Sequence, residues 1–502
     1  MAHELLRIPC VYDKVNREIA VGPSILGIFM NTPSRLAVSF LFLVFAVGCA
    51  VEAPPPGDGS DAQGVYAFVD VNVVPMATDQ VMENQTVVIA DGRIVSIGDV
   101  EEEKIPAGAT RIEAPGQFLI PALSDMHVHL EGDAWNAMFP PEEQFPPEAL
   151  DFGRLLFPYV ANGVTTVQVM SALPEHIALR DGIARCELLG PRLLLSRMID
   201  GPGRAWPPPI SIWVSSPEEA RQAVLDSHQE GYDSIKVYSF LDRASYEAVM
   251  TAAAEVGMGV GGHIPYELSL EEVLDAGQNL IAHSEELMKF AQIPYTQDQI
   301  DETASAIAAS ETWITPTLTT SRNILAVLED FDQELARPEV RYLHPMDRGI
   351  WSFIYTNLYQ PIPQDQRAAL REGYLQFQRP LTRALSEAGA RLMTGTDALI
   401  PSTVPGFSIH DELAELVDAG LTPYEALRSS TTEPFAFLDE LDQAGTIEVG
   451  KRADLVLLRG NPLINIAATR GISGVFIQGR WLGDEELEQG LQELAAANET
   501  GR

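Results

Sequence analysis

Eight short apolar runs separated by helical stretches fill the middle of the chain, from about residue 120 to 440. They fall at 118–122, 164–168, 192–196, 234–238, 259–263, 280–283, 313–317 and 391–395. Runs this short suit strands buried on both faces, and the helical text between them supplies the crossover that parallel neighbours need. Eight such units predict an α/β fold of the (β/α)8 TIM barrel type, with catalytic groups at the C-terminal ends of the strands. A doubly wound sheet has a similar pattern, but no Gly-x-Gly-x-x-Gly follows the first run.

The flanks have another texture. Residues 65–119 alternate β-rich pieces with turns, and Asp91-Gly92 stands between two strand-like runs as a hairpin signal. Residues 441–490 look the same, with Leu455-Val456-Leu457-Leu458 and Val475-Phe476-Ile477 as their apolar pieces. Chain ends often lie close together, so the two segments are expected to form one β-sandwich beside the barrel domain of 120–440, followed by a tail at 491–502. More than seventy residues separate the runs at 313–317 and 391–395. An insertion that long, carrying Tyr342, Trp351, Phe353 and Tyr355, is expected to cover the strand ends as a lid.

The start of the chain reads as an address. The apolar run 36–47 is shorter than the roughly 20 residues that span a bilayer and suits a signal peptide. Ala46-Val47-Gly48-Cys49 resembles a bacterial lipoprotein signal, in which the cysteine is lipidated; simple secretion is the alternative. Residues 1–48 are then a signal region, with Met30 as an alternative start, and residues 49–64 carry the lipidated Cys49 and a flexible tether. The expected location is exported, either periplasmic or membrane-anchored, with membrane contact only through that lipid.

Lys plus Arg number 33 against 71 Asp plus Glu, a formal net charge of −38. That balance excludes nucleic-acid partners, which need a basic face, and leaves a homo-oligomer open. Three cysteines make no disulfide framework, so a large core must carry stability.

His127 and His129 follow an apolar run as His-x-His, and alternate strand residues point the same way, which suits one metal. His263, His283 and Asp397 each stand at the end of another run, and in a barrel all five converge on one mouth. Lys236 lies inside the apolar strand text Ser234-Ile235-Lys236-Val237-Tyr238. An unpartnered ammonium there costs several kcal/mol, so it either reaches a carboxylate at the mouth or loses its charge.

The order His127-x-His129, Lys236, His263, His283, Asp397 resembles the amidohydrolase superfamily, in particular its imidazolonepropionase-like branch with the Xaa-Pro dipeptidases. The likeness extends over Asp91-Gly92-Arg93-Ile94, Asn162-Gly163-Val164-Thr165-Thr166, Gly395-Thr396-Asp397 and Gly450-Lys451-Arg452-Ala453-Asp454. The resemblance implies two divalent metal ions, usually Zn2+. His127, His129 and Asp397 would hold the more buried ion, His263 and His283 the second, and Lys236, carboxylated by CO2, would bridge them. It further implies a small-molecule or dipeptide substrate and hydrolysis of an amide C–N bond, in a dipeptide such as Xaa-Pro or an N-acyl amino acid, by a metal-bridging hydroxide with Asp397 as general base and acid.

Substrate contacts are less constrained. Tyr238 shares the side of the strand that carries Lys236 and could donate to an oxyanion or belong to the core. Arg204 could hold a carboxylate, and His410 is a further candidate. Hydrolysis of a lactone, carbamate or organophosphate ester would use the same ligands. A non-catalytic ligand-binding lipoprotein would show damaged ligands, and all six are intact.

Overall fold

A computed structural model of the chain describes residues 64–136, 144, 152–202 and 206–500. The expected signal region, with Met30, the expected lipidation site Cys49, the expected tether before residue 64, and Arg204 lie outside the described residues.

The leading segment forms β1 (Tyr66–Val73), β2 (Met82–Ala90), β3 (Arg93–Asp99), β4 (Thr110–Glu113) and β5 (Phe118–Pro121). Ala90 pairs with Arg93 across the Asp91-Gly92 turn. Both turn residues have positive φ, 51° and 68°, as a type I′ hairpin turn requires.

The middle carries β6 (Leu123–Val128), β7 (Val164–Val169), β8 (Arg192–Asp200), β9 (Ile212–Trp213), β10 (Ser234–Val237), β11 (Gly259–Gly262), β12 (Leu280–Ala282), β13 (Trp313–Thr315) and β14 (Arg391–Leu392). They form one parallel sheet in the order β14-β13-β12-β11-β10-β8-β7-β6, with β9 beside β8. The sheet curls so that β6 meets the segment after β14: Met126 N–H donates to Thr394 O at 2.9 Å and Asp397 N–H to His127 O at 2.7 Å. β6 and β7 are buried at every position, because helices cover the outer face and side chains fill the inner one. The core joins Val167, Ile199, Val237 and Ile281 of the strands to Val224, Val249 and Leu381 of the helices.

The chain then returns as β15 (Leu455–Leu458), β16 (Ile472–Ile477) and β17 (Arg480–Gly483). The smaller sheet runs β17-β16-β15-β5-β1-β2-β3, with β4 also on β1. β15 lies antiparallel to β5, with Val456 opposite Ile120. Both flanks therefore share one sheet, around a core that includes Phe68, Leu119, Leu455 and Phe476.

Two differences from the sequence reading have simple causes. The run at 118–122, expected as the first barrel strand, supplies β5 to the smaller sheet, and the parallel sheet begins at Leu123. An unbroken apolar stretch does not mark the point where the chain leaves one sheet for the other. Residues 491–500, expected within a tail, are the second half of a helix at Asp484–Thr500, held down by buried Leu487 and Leu494.

The long insertion is helical, with Leu318–Glu329, Pro345–Ile354, Gln364–Gly373 and Arg379–Glu387 as its main helices. Ile324, Val327, Met346, Ile350 and Ile354 pack into a core of their own. Among the described residues, no helix is long and apolar enough to cross a membrane.

Candidate metal centre

His127 lies near the end of β6 and His129 just past it, on the same side of the strand. His263 and His283 directly follow β11 and β12, and Asp397 follows β14 by five residues. All six side chains proposed as ligands meet at the C-terminal ends of the parallel strands. Ligand atoms of His127, His283 and Asp397 lie within 4.8 Å of one another. Asp397 Oδ1 is 2.9 Å from His129 Nε2 and 3.3 Å from His127 Nε2. Lys236 Nζ is 3.3 Å from His127 Nε2, and the His263 and His283 rings are 5.0 Å apart.

Local backbone features aim these groups. His283 and Asp397 have positive φ, 67° and 56°, a rare conformation that points the side chain away from the strand's regular path. Gly262 has φ +120°, and a Cβ there would meet Val237 O at 2.3 Å and Lys236 Cγ at 2.9 Å. Only glycine lets β11 run this close to the lysine stem.

Three of the imidazoles are oriented through Nδ1. His129 Nδ1 is 2.7 Å from both Glu131 Oε1 and Ser171 Oγ. His263 Nδ1 lies 3.1 Å from Glu286 Oε1 and 3.0 Å from Ser239 Oγ. His283 Nδ1 lies 2.8 Å from Thr317 Oγ1. Each contact leaves Nε2 for the centre. Asp125, fully buried, accepts from Thr396 N–H at 2.9 Å and from the Thr396 hydroxyl at 2.6 Å, tying β6 to the segment that carries Asp397.

Burial lowers the pKa of His127, of His263 and of His283, the last to about 3. These rings are neutral at physiological pH, the form that donates a lone pair to a metal. At His129 burial acts the same way, but Glu131 and Asp397 outweigh it and raise the pKa to about 9. For Asp397 burial is outweighed by His283 and His129, which hold the carboxyl down at about 2. Burial lowers Lys236 to about 8 against the pull of Asp397, Glu131 and Glu286.

The donor set fits a divalent cation. Carboxylates hold two rings by the nitrogen that faces away from the centre, the outer contact characteristic of metal-binding histidines. Lys236 is 2% exposed, and among the described residues it forms no ion pair at salt-bridge distance, so a neutral or carboxylated side chain suits its place.

A family model described as the amidohydrolase family matches residues 118–482, more than half of the chain. The chain belongs to the amidohydrolase family. The solved structures similar to this family member include a Xaa-Pro dipeptidase with methionine bound in its active site, at 21% identity and TM-score 0.65, over 84% of this chain and all of that one. Another is a bottromycin amidohydrolase, at 24% identity and TM-score 0.66, over 88% of this chain and 94% of that one. A third is the A. niger ochratoxinase, at 18% identity and TM-score 0.63, over 84% and 96%. In sequence, an adenine deaminase from Geobacillus kaustophilus (strain HTA426) is 32% identical over 117 residues, which are 23% of this chain and only 16% of the deaminase.

The substrate candidates divide. Tyr238 lines the cavity above the centre, its ring 4.0 Å from that of His263. His410 does not reach it: the side chain is buried in the helix Ser408–Ala419, with Nδ1 3.0 Å from Thr469 Oγ1. A histidine shortly after the last strand looks like a mouth residue in sequence, but the helix phase turns it toward the chain's C-terminal part. The sequence reading missed Asp125, Glu131 and Glu286. The available signal was an acid within two or three residues of a strand-end histidine.

Proposed function

We propose that this protein is a binuclear metal-dependent hydrolase that cleaves an amide C–N bond in a dipeptide such as Xaa-Pro or in an N-acyl amino acid. The observation that carries the proposal is the meeting of four imidazoles, a buried lysine and Asp397 at one strand-end mouth. In the full form of this reading the parallel sheet is a closed (β/α)8 barrel, the smaller sheet is a β-sandwich, and the mature chain is an exported lipoprotein held by Cys49.

His127, His129 and Asp397 would hold one ion, His263 and His283 the other, and carboxylated Lys236 both, with zinc the usual choice. When bound, such a pair supplies Lewis acidity and a water that ionises near neutral pH. The chain's own groups do the rest. The Asp397 carboxylate takes the proton of the attacking water and passes it to the departing amine nitrogen, a transfer typically worth about 10²–10⁴-fold. Tyr238 faces the same cavity, where its hydroxyl can donate to the oxygen that gains charge. The helical insertion lines the cavity with Ile324 and Ile350, apolar groups that disfavour water beside the reacting bond.

The test is a comparison of zinc-loaded and chelator-treated protein on Xaa-Pro dipeptides, N-acyl prolines and a set of lactones. Metal-dependent turnover of the amides at least tenfold above the lactones supports the reading. Faster turnover of the lactones, or activity that survives complete metal removal, overturns it.

A further inference from the structure

The cavity above the metal centre holds about 790 Å³ free of protein atoms, a figure that includes open solvent at its mouth. Its walls are mostly apolar, with Trp135, Met198, Trp206, Ile324, Ile350 and Leu399 among them, and no arginine lines it among the described residues. Asp347 breaks this pattern. It lies in the first turn of the insertion helix Pro345–Ile354, is 1% exposed and faces the cavity. Neither carboxylate oxygen has a hydrogen-bond partner among the described residues. Glu285, half-buried, opens onto the same cavity and forms no ion pair there among the described residues.

An acid in the first turn of a helix is favoured by the helix dipole, but such an acid normally closes a hydrogen bond onto a free main-chain N–H. Asp347 lies near the His344 main-chain N–H, which pulls on it electrostatically, but does not close a hydrogen bond of normal geometry onto it. A buried carboxylate without donors costs several kcal/mol unless something supplies them, and the space it faces is where a substrate must sit.

We infer that Asp347, with Glu285, forms a subsite for a protonated amine, and that this enzyme takes substrates combining an apolar body with a cationic amino group. A dipeptide-like amide with its α-amino group free meets that description, and an N-acylated one does not. An ammonium seated there gives Asp347 the charge-assisted hydrogen bonds it lacks, and the Trp135 and Trp206 rings, 5.2 Å apart, add faces that attract a cation. The choice of amide rests on the hydrolase reading above; the cation subsite does not.

The experiment has two arms, each on metal-loaded full-length protein and on the Asp347→Asn and Glu285→Gln variants. In the first, kcat/KM is measured for Leu-Pro and for N-acetyl-Leu-Pro. The wild type is expected to prefer the free amine, and Asp347→Asn to lose about 30-fold or more on it while changing less than threefold on the acetylated substrate. In the second, calorimetry compares 2-phenylethylamine with 2-phenylethanol. Tighter binding of the amine, abolished by Asp347→Asn and weakened by Glu285→Gln, supports the subsite even if neither dipeptide is cleaved, in which case only the choice of reaction has failed. Equal binding of amine and alcohol, or an amine preference untouched in both variants, overturns the inference.

Discussion

Glu286 Oε1 lies 3.1 Å from His263 Nδ1, while its other oxygen accepts from Ile264 N–H at 2.7 Å and from the Lys289 ammonium at 2.5 Å. The carboxylate is thus fixed on one side by the main chain and a cation, and fixes the imidazole on the other. Substituting Glu286→Gln removes the charge that orients the ring and keeps the volume. Metal affinity should fall about 10–100-fold, the usual effect of losing such an outer contact. Competition for zinc against a chelator of known affinity measures it, and an unchanged affinity would show that Glu286 is only structural.

Lys236 has its ammonium among four imidazoles, with no carboxylate at salt-bridge distance among the described residues. If the lysine carries a CO2-derived carboxylate, metal uptake must depend on dissolved CO2. Apoprotein purged of CO2 should take up fewer than two ions per chain, and bicarbonate should restore the second. Lys236→Met, which keeps the length and apolar stem, should lose that bicarbonate response while keeping its fold. Equal metal content with and without bicarbonate counts against a carboxylated lysine.

At Gly262 the backbone of β11 passes within van der Waals range of β10 with φ at +120°. Gly262→Ala would force its methyl against Val237 O and the stem of Lys236, and it would hold an L-residue in a strained region. A loss of about 1–3 kcal/mol of stability follows, together with reduced metal content because Lys236 is pushed aside. Thermal unfolding and metal analysis of the one variant read both effects. Gly257→Ala is the control, since its Cβ would meet nothing within 4 Å, although its φ of +73° leaves some backbone strain.

The parallel sheet and the convergence of the candidate ligands were legible in sequence because both rest on short-range signals. Apolar runs of strand length recur at helix-sized intervals, and the candidate ligands stand where those runs stop, so the fold alone brings them together. The passage from β5 to β6 was not legible, since Leu119 and Leu123 are equally apolar and differ only in which sheet receives them. His410 and Asp347 show the same limit from opposite sides. His410 sits close behind the last strand yet turns toward Thr469, whereas Asp347 sits deep in an insertion yet reaches the cavity. Sequence position gives the neighbourhood, and helix phase gives the direction.

The last prediction concerns pH. Burial pushes the Asp347 carboxyl up to about 7 from 3.8, with the His344 main-chain N–H and the Arg348 guanidinium pulling the other way. The folded protein therefore keeps a proton that the unfolded chain releases at lower pH. Asp347 leaves stability intact below about pH 4, erodes it as pH rises toward 7, and has no further effect above that. A shift of this size corresponds to at most about 4 kcal/mol. Asparagine does not titrate, so Asp347→Asn should match the wild type near pH 4 and exceed it by a growing margin up to pH 7. Thermal unfolding of both proteins at pH 4.5, 6 and 8, without amine ligands, checks this. A difference that stays constant across the three pH values would mean that Asp347 is already charged in the folded protein, with donors of its own.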